Sequence, residues 1–180
     1  MLKKLIYLDN ASTTPLSKNV LKKINSAYNN YWNNSSSTYK YGIKCAIFLE
    51  KIRLKIAETF NAEPEDIIFT SGSSESTSIV FSNLDDKYNT GRVVISKVEH
   101  QATIISANKL KRKGWEIYEW KVNEDGMIDI SEIEQVLDKN TTLVSLIWGQ
   151  SEIGTLQPVQ FVGNKCNKMD ILFHIDGTQI

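Results

Sequence analysis

The feature that most constrains this chain is an alternation. Short apolar runs recur along it: Ile67-Ile68-Phe69, Val93-Val94-Ile95, Trp115 to Trp120, Leu143 to Trp148 and Ile171 to Asp176. Helical patterns fall between them. Strands alternating with helical stretches of about 10–15 residues indicate βαβ units, because a parallel neighbour can be reached only by a crossover. The expected fold class is therefore α/β, with a mostly parallel sheet flanked by helices. No internal repeat or low-complexity linker interrupts the pattern.

Ahead of the alternation, Leu5-Ile6-Tyr7-Leu8 reads as an opening strand or extended segment closed by Asp9-Asn10. Ser17 is placed to cap a helix that carries Val20, Ile24, Ala27 and Tyr31 on one face. A polar loop, Asn33 to Ser37, leads to a longer helix with Cys45, Phe48, Leu49, Ile52, Ile56 and Phe60 at helical spacing, and Pro64 ends that region. Further on, Thr70 to Glu75 turns into a helix through about Asn83. Glu99-His100 opens another that reaches Lys113 and is stopped by Gly114. Asn123 to Gly126 is a turn, Ser131 to Glu134 a capping box, and Phe161 to Lys168 a helix. Residues 1–60 thus form an N-terminal segment with helices, and 61–180 form the α/β part.

Composition narrows the function. The chain has 180 residues, 41% of them hydrophobic, with 21 basic and 21 acidic side chains. That length suits one compact domain and excludes any need for disulfides or metal to hold a core. Zero net charge gives no reason to expect a nucleic-acid or anionic-membrane partner. No run is long and apolar enough for a transmembrane helix, and Asp9-Asn10 interrupts the only segment resembling a signal peptide. Cys45 and Cys166 lie far apart, away from any ligand spacing with His100 or His174, so no metal site is expected. Both sit in apolar helical patterns, as small buried hydrophobes would. A cytoplasmic protein with reduced thiols follows.

In such sheets ligands bind at the carboxyl ends of the strands, and four strand ends carry unusual polar content. Thr70-Ser71-Gly72-Ser73-Ser74-Glu75 opens a helix, where free N–H groups and the helix dipole favour a phosphate; it is equally the composition of an ordinary N-cap. His100 can act as acid or base or stack on a flat ring, or simply be a satisfied histidine. Gln150-Ser151-Glu152-Ile153-Gly154 can orient a ligand or merely turn the chain. Asp176, after an apolar strand, must be paired or bound to a ligand if buried, and a pyridinium cation is a suitable partner. A phosphate cradle, a ring-stacking histidine, a polar orienter and a carboxylate together suit pyridoxal phosphate. Composition alone does not choose that cofactor over a nucleotide.

The residues also carry a resemblance. Tyr7-Leu8-Asp9-Asn10-Ala11-Ser12-Thr13-Thr14-Pro15, Phe69 to Ser76, Glu99-His100, Glu152-Ile153-Gly154-Thr155-Leu156-Gln157-Pro158 and His174 to Gln179 resemble, in order along the whole chain, the cysteine desulfurases. These are pyridoxal-phosphate-dependent enzymes of the class V aminotransferase group, and the resemblance implies the large domain of the fold-type I transferases. It implies that Ser73 and Ser74 bind the phosphate and that His100 stacks on the ring and assists proton transfer. Asp176 would pair with the ring nitrogen, Gln179 would bond the phenolic oxygen, and Ser151 would stand where an asparagine touches the cofactor. The reaction implied turns L-cysteine into L-alanine and passes sulfur, as a persulfide, to an acceptor protein for iron–sulfur clusters or thiolated RNA; a homodimer is the implied assembly. Another class V aminotransferase, a selenocysteine lyase, or a non-catalytic binding subunit of the same fold are the alternatives.

Three departures stand out. Ser73-Ser74 replaces an Ala-Thr pair, Ser151 replaces the second asparagine of Asn-Asn-Glu-Ile-Gly, and Asn33-Asn34-Ser35-Ser36 with Tyr39 replaces an Asn-Pro-Ser-Ser loop and its histidine. The resemblance further implies a Schiff-base lysine in a Ser-x-His-Lys context and a persulfide-forming cysteine, both downstream of Ile180. None of the 18 lysines matches the first, and neither Cys45 nor Cys166 matches the second. The C-terminal half of the large domain is thus expected to lie outside this stretch, and the 180 residues alone to be inactive.

Overall fold

The computed structural model describes residues 6–180. The chain divides into two compact units, one reaching Phe69 and the other spanning Thr70–Ile180.

Among its described residues the first unit holds two α-helices and a 3-10 turn, Pro64–Asp66. In α1 (Lys18–Asn30), Ser17 accepts a hydrogen bond from Val20 N, satisfying one of the first-turn donors as the sequence predicts. In α2 (Lys40–Phe60), Asn61 closes the helix in the left-handed conformation, with its N–H on the carbonyls of Ala57 and Glu58. Tyr31 stacks on Phe48 with ring centroids 3.7 Å apart, and Cys45 is buried. The opening run, expected as a strand or an extended segment, forms no ladder over its described residues, and a second expected strand is not formed. Leu5 lies outside the described residues, while Ile6 to Leu8 are exposed and irregular, leading into a turn held by Ser12 Oγ on Asp9 Oδ2. Ile67 to Phe69 have no ladder partner either: the Arg53 guanidinium donates to Ile67 O and lies 4.9 Å from the Phe69 ring centroid. An apolar run becomes a strand only where another strand takes its backbone groups, and among the described residues no strand pairs with this one.

The second unit is a four-stranded, wholly parallel sheet in the order β2-β1-β3-β4. Its strands are β1 (Arg92–Ser96), β2 (Glu116–Trp120), β3 (Thr141–Ile147) and β4 (Leu172–Asp176). Alternation along β1 and β3 divides the core. Val93, Ile95 and Leu143 face α3 (Ser73–Lys87) and α4 (Gln101–Arg112), where they pack with Phe81, Leu84, Ala107 and Leu110. Val94, Val144 and Leu146 face the other way, onto α5 (Ile133–Val136) and α6 (Val159–Lys168), with Val136, Val162 and Cys166. Helices on both faces bury Val93 to Ile95 and Leu143 to Ile147, which explains why these stretches are apolar on both faces, Ser145 excepted, rather than at every second position. A Cβ at Gly163 would come within 3.1 Å of the Phe173 ring, so glycine lets α6 lie close against β4.

Two local readings shift. Asp129, not Ser131, caps the turn before α5: its Oδ1 accepts from both Ser131 N and Ser131 Oγ, because the chain enters through a 3-10 turn two residues earlier than the Ser-x-x-Glu pattern suggests. Gln157 is buried and spends its amide on the loop 123–128, accepting from Ile128 N and donating to Gly126 O. Thr155 Oγ1 donates to Asp125 O, and a Cβ at Gly126, where φ is +75°, would strike Ile153. The Glu152–Pro158 segment is therefore a brace for that loop. No helix among the described residues is long and apolar enough to cross a membrane.

Candidate cofactor site

The winding of the sheet places the site. From β1 the chain crosses to β2 on one side, then returns to β3 on the other side of β1, and proceeds outward to β4. The change of direction between β1 and β3 marks their carboxyl ends as the place where sheets of this kind bind ligands. His100 follows β1, Ser151 follows β3, and Asp176 with Gln179 closes and follows β4, so the sheet brings these four to one edge. The helix α3 runs opposite to the strands: Leu84, Lys87 and Tyr88 near its end share a cavity with Leu143 and Leu172 at the strand starts. Its first turn, with Ser73 and Ser74, therefore lies toward the same carboxyl edge.

At that first turn, Glu75 N and Ser76 N both donate to Gly72 O, leaving Ser73 and Ser74 N–H directed ahead of the helix. The loop before it is tied by Thr70 Oγ1 to Ser76 Oγ at 2.9 Å. The Glu75 carboxylate accepts from Ser71 N, and that bond holds its pKa below the ordinary value. A Cβ on Gly72 would meet nothing within 4 Å, so no described residue outside its chain neighbours crowds this position.

His100 is exposed and is the N-cap of α4, with Nδ1 accepting from Ala102 N at 3.2 Å. That bond requires Nδ1 to be unprotonated, which leaves Nε2 as the nitrogen able to meet a ligand or carry a proton. Ser151 is half-buried in a turn built by Gln150, whose Oε1 accepts from Glu152 N and Ile153 N. Gln179 is exposed, just beyond β4.

Asp176 is only 6% exposed. Its Oδ1 takes both side-chain hydrogen bonds that the described residues give it, from Thr178 N and Thr178 Oγ1, and it forms no ion pair among them. A buried carboxylate without a cation is costly, and a protonated ring nitrogen supplies one. Open N–H groups for a phosphate, a free imidazole nitrogen and a carboxylate wanting a cation thus fit pyridoxal phosphate.

Sequence reasoning passed over one residue of this edge. Glu99 is buried beside His100: its Oε1 accepts from Ser96 Oγ at 2.5 Å and from Ile147 N at 2.9 Å, while Oε2 is buried without a partner. Burial pushes its pKa up to about 7, against the pull of those hydrogen bonds, and the nearby Asp176 charge adds to the rise. The signal was an acid three residues past Ser96, at the end of an apolar strand. Cys166 is fully buried and its thiol is pushed up to about 11 by burial, so it is no nucleophile.

Comparison with known proteins settles the family. The aminotransferase class-V family model matches residues 6–180. The chain belongs to that family. It is 35% identical, over 177 residues, to the cysteine desulfurase IscS of Neisseria meningitidis, an alignment covering 97% of this chain and 44% of the relative. It is 34% identical to the mitochondrial cysteine desulfurase of Saccharomyces cerevisiae, covering 97% of this chain and 36% of that protein. Among solved structures, a NifS-like protein superposes with a TM-score of 0.91 at 29% identity, covering 97% of this chain and 49% of that one. DndA from Streptomyces lividans superposes at 0.83, also with 29% identity and the same coverage of both chains. The chain spans less than half the length of these relatives. The parallel sheet between helix layers is the fold-type I architecture of this family's pyridoxal-phosphate enzymes, and the match to cysteine desulfurases extends along nearly the whole chain.

Proposed function

We propose that this chain forms the phosphate- and ring-facing part of a pyridoxal-phosphate-dependent cysteine desulfurase, acting on L-cysteine to give L-alanine and a persulfide for an acceptor protein. The observation that carries the proposal is the buried Asp176 carboxylate at the end of β4, with no ion-pair partner among the described residues. The similarity to cysteine desulfurases supports the choice of substrate.

When bound, pyridoxal phosphate supplies an electron sink for bonds at the substrate α-carbon. Ser73 and Ser74 hold the phosphate through backbone N–H groups and hydroxyls at the start of α3. Asp176 pairs with the ring nitrogen and keeps it protonated. His100, its Nδ1 committed to Ala102 N, would stack on the ring and offer Nε2 to hold or move a proton. Gln179 and Ser151 fix the ring's orientation by hydrogen bonds, Ser151 with a shorter reach than an asparagine. Residues 61–180 in this reading belong to the cofactor-binding domain, and the covalent lysine and the sulfur-accepting cysteine lie outside the 180 residues. The sulfur serves iron–sulfur cluster or thiolated-RNA synthesis, in a cytoplasmic homodimer.

The test is to incubate the chain with pyridoxal phosphate and L-cysteine, reduce with borohydride, and measure intact mass, alanine and sulfide. Saturable binding without a reduced adduct and without alanine is the expected result. A pyridoxyl adduct on the chain, or alanine formed by it, would overturn the claim that its own lysines and cysteines do not serve. Alanine and sulfide from the whole protein support desulfuration; transamination products or release of selenium alone favour the other class V activities, and failure to bind the cofactor favours a non-catalytic subunit.

A further inference from the structure

We propose that Glu99 is a positioning residue: its carboxyl group fastens the end of β1 to the end of β3, and so fixes where His100 and Asp176 meet the ring. The part concerning the ring rests on the pyridoxal phosphate reading above. The fastening itself does not.

The geometry is that of a missing ladder rung. The β1–β3 register ends at Ile95 opposite Ser145. Beyond it, one oxygen of Glu99 receives a hydrogen from each strand's continuation, Ser96 Oγ on one side and Ile147 N on the other. This join lies at the point where the winding of the sheet reverses. Ile147 is also the register partner of Asp176 in β4, and the next residue, Trp148, donates its N–H to Asp176 O at 2.9 Å. Glu99 is therefore two steps from Asp176 through hydrogen-bonded backbone. On its other side it is the residue next to His100, which caps α4. One side chain thus sets both groups that would contact the ring, and neither of those at the phosphate turn.

The protonation state agrees with this role. Oε1 accepts two hydrogen bonds and Oε2 is buried alone, so a proton on Oε2 leaves the clamp intact and removes the cost of a buried charge. Glutamine preserves the accepting oxygen and the neutrality; alanine removes both.

The experiment compares the 180-residue chain with E99Q and E99A, by amide exchange in nuclear magnetic resonance and by titration with pyridoxal phosphate and with inorganic phosphate. In E99A, Ile147 and Ala102 should exchange about tenfold faster or more while Val94 and Val144 stay protected, and E99Q should remain within about threefold of the parent. Affinity for pyridoxal phosphate should fall about tenfold in E99A, with inorganic phosphate changed by less than about twofold. Unaltered protection at Ala102 in E99A overturns the proposal, as does E99Q behaving like E99A, or both ligands weakening together. If the parent binds no pyridoxal phosphate, the functional reading fails, and exchange at Ala102 still decides whether Glu99 positions His100.

Discussion

At the scale of single residues, Glu99 and His174 are the titrating groups most changed by folding near neutral pH. Glu99 keeps a proton in the folded chain up to about pH 7, whereas its ordinary value is 4.5. Between those values the unfolded chain has lost a proton that the folded chain retains, so stability is full below about pH 4.5 and declines as pH rises toward 7. The size is roughly 3 kcal/mol at 1.36 kcal/mol per pH unit. His174 acts in the opposite direction. It is inside the sheet, with Nδ1 against Ser145 Oγ at 2.8 Å, and burial lowers its pKa while the Asp176 charge partly opposes the drop. Its contribution is present above about pH 6.5 and is lost on acidification. Subtracting E99Q from the parent isolates Glu99: urea unfolding should show E99Q gaining stability relative to the parent between about pH 5 and pH 8. A constant difference across that range would mean that Glu99 is ionised in the folded chain throughout.

At the scale of elements, Gln157 is the brace with the largest expected effect outside the core. Q157A leaves Ile128 N and Gly126 O without their buried partner and should cost roughly 1–3 kcal/mol, read as a lower urea midpoint. An unchanged midpoint would show that water replaces the amide at no cost. These elements were unevenly legible. The four strands of the sheet and the helices α1 to α4 follow from periodicity and caps, because Val93 to Ile95 and Leu143 to Ile147 are buried on both faces and Ser17 caps α1 by accepting from Val20 N. Ile67 to Phe69 carry the same apolar signal, yet local composition cannot reveal that no strand among the described residues pairs with them. The cap of α5 was misplaced because Asp129 and Ser131 are both good caps, and the 3-10 turn that selects Asp129 is a tertiary outcome. The polar residues of the candidate site were legible as strand-end residues. The clamp by Glu99 was not, since its partner Ile147 is 48 residues away.

At the scale of the whole molecule, the two edges of the sheet differ. The edge strand β2 exposes Glu116 and Glu119, charges of the kind that discourage pairing with another sheet. The other edge strand, β4, exposes Leu172 and Ile175. An edge strand with exposed apolar side chains invites association, so the chain should self-associate at micromolar concentration, and I175K should reduce the mass seen by light scattering. A clean monomer for the parent would contradict this.

The same molecule carries the central claim, that its strand ends and the start of α3 hold pyridoxal phosphate through Asp176. Calorimetric titration of the parent and of D176N tests it most directly. One saturable site in the parent, weakened about tenfold or more in D176N, is the predicted result, since the substitution removes a buried charge-assisted bond to the ring. Equal affinity in the two proteins, or no saturable binding in the parent, would contradict it.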